Sequence, residues 1–201
     1  AGVLNPAMSQ LHAFVSEYSA RDQPWRYLFQ TTDVIMGTLL CLAGLATLVW
    51  ARHRPLGRQG WSGVGFVAGG FFSVLDALVT MDCSPTRSQA CMAAEEAGHV
   101  SVNHIVHVGT STIVVVGFAL PILLLNSTMT RFRGFGLVVT WAWVVFTLLN
   151  GIGAVGWFVG TPMDYTGIWQ RFSLGLGTLW WLILAADDIV TARVQDRARS
   201  C

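Results

Sequence analysis

The sequence predicts an all-α, polytopic membrane helical bundle, and three observations carry that prediction. Of its 201 residues, 53% are hydrophobic and only 11% are charged, against roughly a quarter charged in soluble chains. Mean hydropathy is +0.55. The apolar residues lie in long blocks separated by short polar ones. Such a composition excludes a disordered chain, a nucleic-acid-binding module and a cytosolic enzyme.

A bilayer-crossing helix needs about 20 mostly apolar residues. Five windows reach that length, at about 32–50, 61–80, 102–125, 135–158 and 168–187. They read as a single transmembrane bundle over residues 31–190, followed by a basic tail at 191–201. Residues 1–30 lack the basic start, apolar run and cleavage site of a signal peptide. Asn5-Pro6 can open a helix, and Met8, Leu11, Val15 and Tyr18 then keep helical spacing. That spacing predicts a short amphipathic helix lying on the extracytoplasmic surface of the membrane. The chain begins with Ala rather than Met, which leaves open whether residues precede it in the full gene product.

Sidedness follows from arginine, because the chain has no lysine. Arg52, Arg54, Arg58, Arg131, Arg133, Arg193, Arg197 and Arg199 fall on one side, and Arg21, Arg26, Arg87 and Arg171 on the other. Short arginine-rich connections stay in the cytoplasm, which predicts a plasma-membrane protein with its N-terminus outside and its C-terminus inside. The acids run the opposite way. Glu17, Asp22, Asp33, Asp76, Asp82, Glu95, Glu96 and Asp164 fall towards the outside, and only Asp187, Asp188 and Asp196 inside. A formal net charge of +1 therefore conceals a strong asymmetry across the bilayer.

Cys83 and Cys91 share one predicted outer loop. An oxidising compartment favours a disulfide between them. A zinc pair fits less well, since the spacing exceeds the two to four residues of a zinc knuckle. Cys41 and Cys201 have no evident partner. Gly65 with Gly69, and Gly156 with Gly160, are small-xxx-small pairs that let helix backbones approach closely. Packing within one bundle explains them more simply than a dimer interface. Trp25, Trp50, Trp61, Trp157 and Trp169 fall near span ends, where indole prefers to sit.

Polar residues at membrane depth are costly and usually face a bundle interior or a cavity. Asp33 opens the first span and Asp76 lies one turn inside the second. His104 and His107 are three apart on one face of the third, with Asn103 beside them and Ser111 one turn further. Asn150 belongs to the fourth span, and Gln170 and Arg171 open the fifth. All fall in the same half of the membrane.

Three readings compete for these residues. The first is a structural polar cluster of Asp33, Asn103, Asn150, Gln170 and Arg171, with Arg171 pairing Asp33 or Asp76. The second is a metal site, with His104, His107 and Asp76 or Asp82 as ligands of zinc. Three protein ligands and a water make the catalytic zinc pattern, and the bound water becomes a nucleophile near neutral pH. Asp76, Glu96 and Ser111 are then the catalytic candidates, the carboxylate not on the metal, or Glu96, serving as general base. The third is a proton or ion path, opposed by the near absence of ionisable groups in the inner halves of the spans. Haem is disfavoured, because His104 and His107 share a helix while His12, His53 and His99 lie outside the spans. No phosphate loop, dinucleotide fingerprint or Gly-x-Ser-x-Gly elbow is present.

The runs SEYSARDQPWRYLFQTTDVIMG, DCSPTRSQACMAAEEAGHVSVNHIVHVGTS and GIWQRFSLGLGTLW resemble an actinobacterial-type multi-pass membrane family, the 998th domain of unknown function. The resemblance implies a bacterial cell-envelope protein with a further membrane helix upstream of the SEYSA segment. It implies no catalytic residue, since the family has no established chemistry. Asp76, His104, His107 and Ser111 also resemble the ingredients of alkaline-ceramidase-like membrane hydrolases, although order, spacing and span number differ. Fold-level analogy does not establish function. The expected function is a non-catalytic accessory or lipid-binding membrane component, with membrane lipid and other membrane subunits as partners and no nucleic acid. The alternative is a metal-dependent hydrolase acting on a lipid or envelope substrate from the outer face.

Overall fold

The computed structural model describes residues 3–52, 57–158 and 165–200, less the side chains of residues 157, 158, 197, 199 and 200. His53, Arg54, Gly160, Asp164 and Cys201 therefore lie outside the described residues. Among those described, the chain forms helices and no strand. In chain order they are α1 (Arg26–Ala51), α2 (Arg58–Leu78), α3 (Gln89–Glu96), α4 (Val102–Leu125), α5 (Arg133–Phe158) and α6 (Thr166–Ser200). All but α3 are long and apolar enough to cross a membrane. The chain is a multi-pass membrane protein.

Backbone proximity organises the first part of the bundle. α2 lies between α1 and α4 and packs on both. A Cβ added to Gly70 would stand 2.5 Å from the Gly37 carbonyl oxygen of α1, and one on Gly65 would stand 2.8 Å from the Gly117 oxygen of α4. Small residues on two faces of α2 thus give dispersion contact where lipid supplies no hydrophobic drive between helices. Gly65 and Gly69 serve packing inside this bundle, against Gly117. The opposite face of α1 carries exposed Ile35, Met36, Leu39 and Leu42, as a lipid-facing surface should.

α5 and α6 form the second part. At the arginine-rich end the two parts meet in a buried cluster of Ile122, Met129, Val139, Trp143, Trp180 and Ile183. Phe66 on α2 also packs against Trp181 on α6, ring centres 4.8 Å apart. Asp187, 2% exposed, accepts backbone N–H bonds from Thr130 (2.9 Å), Arg131 (2.7 Å) and Phe132 (2.8 Å). A carboxylate from α6 thereby fixes the turn into α5, where unpaired N–H groups favour negative charge.

The N-terminal segment differs from the surface helix its spacing predicts. Its one regular element is a 3-10 turn at Val15–Ser19. Met8 and Tyr18 are buried but Leu11 is 43% exposed. The physical reason is that the segment closes only isolated turns on itself, as from Met8 N–H to Asn5 O and from Ala13 N–H to Ser9 O, and also bonds outward. Arg21 N–H donates to Met81 O (3.0 Å), and Ile168 N–H of α6 donates to Leu11 O (3.1 Å). The segment thus bridges the loop after α2 and the start of α6. At the other terminus, α6 continues through Ser200, so residues 191–200 extend the last helix.

Candidate functional site

At the end of the bundle opposite the arginines, the loop between α2 and α4 builds one wall of a site. Cys83 and Cys91 are disulfide-bonded with Cα atoms 6.0 Å apart. Ser88 caps α3, accepting the Cys91 N–H at 3.3 Å. Gly98, at φ +67°, ends it: Gly98 N–H reaches Glu95 O (3.0 Å) and His99 N–H reaches Ala94 O (2.7 Å), a pattern that needs a left-handed residue. Ser101 then caps α4, accepting the His104 N–H (3.3 Å) while its own N–H (2.7 Å) and hydroxyl (2.8 Å) donate to Asp82. Burial opposes ionisation of Asp82, but these bonds and the Arg21 ion pair at 3.3 Å outweigh it and hold its carboxyl below the usual range.

Glu17 ties the N-terminal segment down. Its carboxylate, with no exposed surface, accepts the hydroxyls of Ser84 and Thr86, the Thr86 N–H (3.1 Å) and the Phe14 N–H (2.9 Å). Burial pushes this carboxyl above its ordinary value against those hydrogen bonds. On the other flank, Gln170 accepts the Val15 N–H and Arg171 donates to Ala13 O and Gly167 O, both at 2.8 Å. Arg171 also lies over the Tyr18 ring, 5.8 Å from its centre. The guanidinium is thus committed to carbonyls and an aromatic face, and the expected pairing with Asp33 or Asp76 is replaced by these contacts.

Under this roof, between α4 and α5, lies a cavity of about 260 Å³. Its polar lining includes Glu17, Glu95, His107, Ser111, Asn150 and Gln170. Its apolar lining includes Val108, Val115 and Val116 of α4 and Ala154 of α5. Thr112, Val115, Val116 and Gly151 line it and are also exposed, so the cavity opens sideways between the two helices. From His107 to Val116 the α4 wall is about 14 Å long at 1.5 Å per residue. Among its lining residues there is no arginine.

Asp76, His107 and Ser111 are brought together. Asp76 accepts the Thr110 hydroxyl and the Ser111 hydroxyl, the latter at 3.0 and 3.1 Å from its two oxygens. His107 Nδ1 faces Asp76 O and Val79 O at 3.0 Å each and an Asp76 carboxylate oxygen at 3.3 Å. Only a donor satisfies three oxygens, so Nδ1 carries a proton, and in the neutral ring Nε2 then keeps the lone pair. His104 takes the opposite tautomer: its Nδ1 accepts the Asp82 N–H at 3.3 Å, leaving the proton on Nε2, 3.8 Å from Glu95.

The two imidazoles therefore do not present a pair of free lone pairs on one side. Asp82 is spent on Ser101 and Arg21, and among the described residues no group of three His, Cys, Asp or Glu is placed to hold a metal. The Ser111 hydroxyl is directed to Asp76 rather than to His107 Nε2, which has no hydrogen-bond partner. Glu96 is exposed, Asn103 is half-buried, and Asp33 is exposed on α1, although near enough to Asp76 and His107 for their charges to interact. Asn150 and Gln170 join the cavity.

Glu17 and Glu95 line the cavity without belonging to any motif in the sequence. Glu95 had a signal: it lies four residues after Cys91, and a disulfide that pins Cys91 inward turns the same helix face towards the core. Glu17 had none, because its partners at Ser84 and Thr86 are distant in sequence.

No curated protein and no solved structure matches the chain. The family model that does match is described as protein of unknown function DUF998 and takes in residues 1–187, nearly all of the five-helix bundle and its roof, so the chain belongs to the DUF998 family.

Proposed function

We propose that the protein is a non-catalytic, lipid-binding membrane component that takes an amphiphile into the cavity between α4 and α5. The observation that carries this reading is the cavity's own polarity: hydrogen-bonding groups at its roofed end, valines and alanine further along, and a lateral mouth between two spans. Clefts of this kind, apolar with a few convergent polar groups, are where small ligands bind. We further propose that the disulfide end faces outward across a plasma membrane. Arginine-rich connections at the opposite end and a disulfide at this one support that orientation.

The test is labelling with a photo-crosslinkable acyl lipid in vesicles, the adducts mapped by peptide. The reading expects adducts concentrated on 108–116 and 147–154 and abolished by Val115→Trp, which fills the cavity. Labelling spread over the exposed face of α1 and indifferent to Val115→Trp would overturn it. Metal analysis of the same preparations separates the hydrolase alternative. Stoichiometric zinc, lost in a His104→Ala/His107→Ala double variant, would make Asp76, Asp82 and the two histidines a metal centre.

A further inference from the structure

The lining of the cavity also says which head group it accepts; this inference rests on the lipid-binding reading. His107 is 3% exposed and lines the cavity. Its Nδ1 edge is turned to the carbonyls of Asp76 and Val79. The opposite edge, Nε2, is buried without a hydrogen-bond partner, and in the neutral ring it can only accept. Asn150 Oδ1, from the α5 wall, is a second buried acceptor without a partner. Orphaned buried acceptors are rare in folded proteins and call for a missing donor.

Charge points the same way. Two carboxyl residues, Glu17 and Glu95, line the cavity, and no arginine does. The nearest arginine in sequence to a lining residue, Arg171, spends its guanidinium on Ala13, Gly167 and Tyr18. Asp76 stands directly behind His107. A phosphate or carboxylate head would meet acceptors and carboxyl groups in a lining without arginine. An ammonium head offers three donors and a positive charge, and hydrogen bonds to charged groups are the strong ones.

We infer that the cavity selects an amphiphile with a primary-ammonium head, held by His107 Nε2, Asn150 Oδ1 and Glu95, with its chain against Val108, Val115 and Val116. A free long-chain amine and an amine-headed membrane lipid share this chemistry, and the test separates them.

The full chain in a non-ionic detergent is titrated with dodecylamine, dodecanol and dodecyl phosphate, binding being read by native mass spectrometry. Phosphatidylethanolamine and phosphatidylglycerol are then compared in the same way. Dodecylamine is expected to bind at least roughly tenfold more tightly than dodecyl phosphate, the worth of one charged hydrogen bond. Glu95→Gln and His107→Phe should each erase that preference while Cys83–Cys91 remains oxidised, which controls for folding. Retention of phosphatidylethanolamine over phosphatidylglycerol assigns the site to a membrane lipid, and binding of dodecylamine alone assigns it to a free amine. Equal binding of all three single-chain probes, blocked by Val115→Trp, would overturn the head-group inference and leave lipid binding standing. Failure of every probe to respond to Val115→Trp would overturn both.

Discussion

Glu17 shows how much one side chain decides. Four donors converge on a carboxylate that has lost all contact with solvent, yet burial dominates and its pKa is raised from an ordinary 4.5. The folded state therefore binds the proton more tightly than the unfolded chain. Stability from this group is complete below about 4.5 and falls as pH rises from there to the folded pKa. Asp82 works oppositely, its depressed pKa placing its loss of stability below about 3.8, outside that window. Thermal melts across the window should show wild type losing stability on alkalinisation relative to Glu17→Gln, with protection of the 8–20 segment from protease following the same curve. A difference independent of pH would refute the assignment. None of this was legible from the sequence, where Glu17 stands in a polar stretch like any other surface acid.

At the scale of elements, glycine placement decides which helices touch. The Cβ of an alanine at Gly70 would lie 2.5 Å from Gly37 O and 2.7 Å from Cys41 N. Both are backbone atoms, so α1 itself must move, and overpacking of this kind costs about 1–3 kcal/mol. Gly175 on α6 meets nothing within 4 Å, and alanine there should leave stability unchanged or raise it slightly. Denaturation of Gly70→Ala and Gly175→Ala in detergent checks both, and equal effects would refute α1–α2 proximity as the determinant. The five spans were legible because bilayer thickness imposes a length and a composition that need no tertiary knowledge. The eight-residue α3 was not recognised, since its order depends on the Ser88 cap, the Gly98 turn and a disulfide acting together.

Taken whole, the molecule is two helical groups joined firmly at the arginine-rich end and parted at the other, where the N-terminal segment and the disulfide loop span the gap. The disulfide should then matter locally. Closing so short a loop contributes about 2–3 kcal/mol by the chain-entropy argument. Replacing Cys83 and Cys91 with serine should raise hydrogen exchange across 84–101 and release Glu95 from His104, while α5 and α6 keep their protection. Uniform loss of protection over all five spans would instead make the bridge a determinant of the entire bundle.

The sequence by itself determined that this chain crosses a membrane on five helices, which segments do so, and that charge is asymmetric between their ends. Those properties follow from transfer free energies summed along local stretches. It also placed Asp76, His107, Ser111, Asn150 and Gln170 at one level of the bundle. Only the tertiary structure decided what they form. Whether His107 presents a lone pair depends on the carbonyls of Asp76 and Val79, whether Ser111 is free depends on Asp76, and whether Arg171 neutralises an acid depends on Ala13. Each is a contact between segments far apart in sequence, and hydrogen-bond direction at such contacts is set by packing that no local pattern encodes.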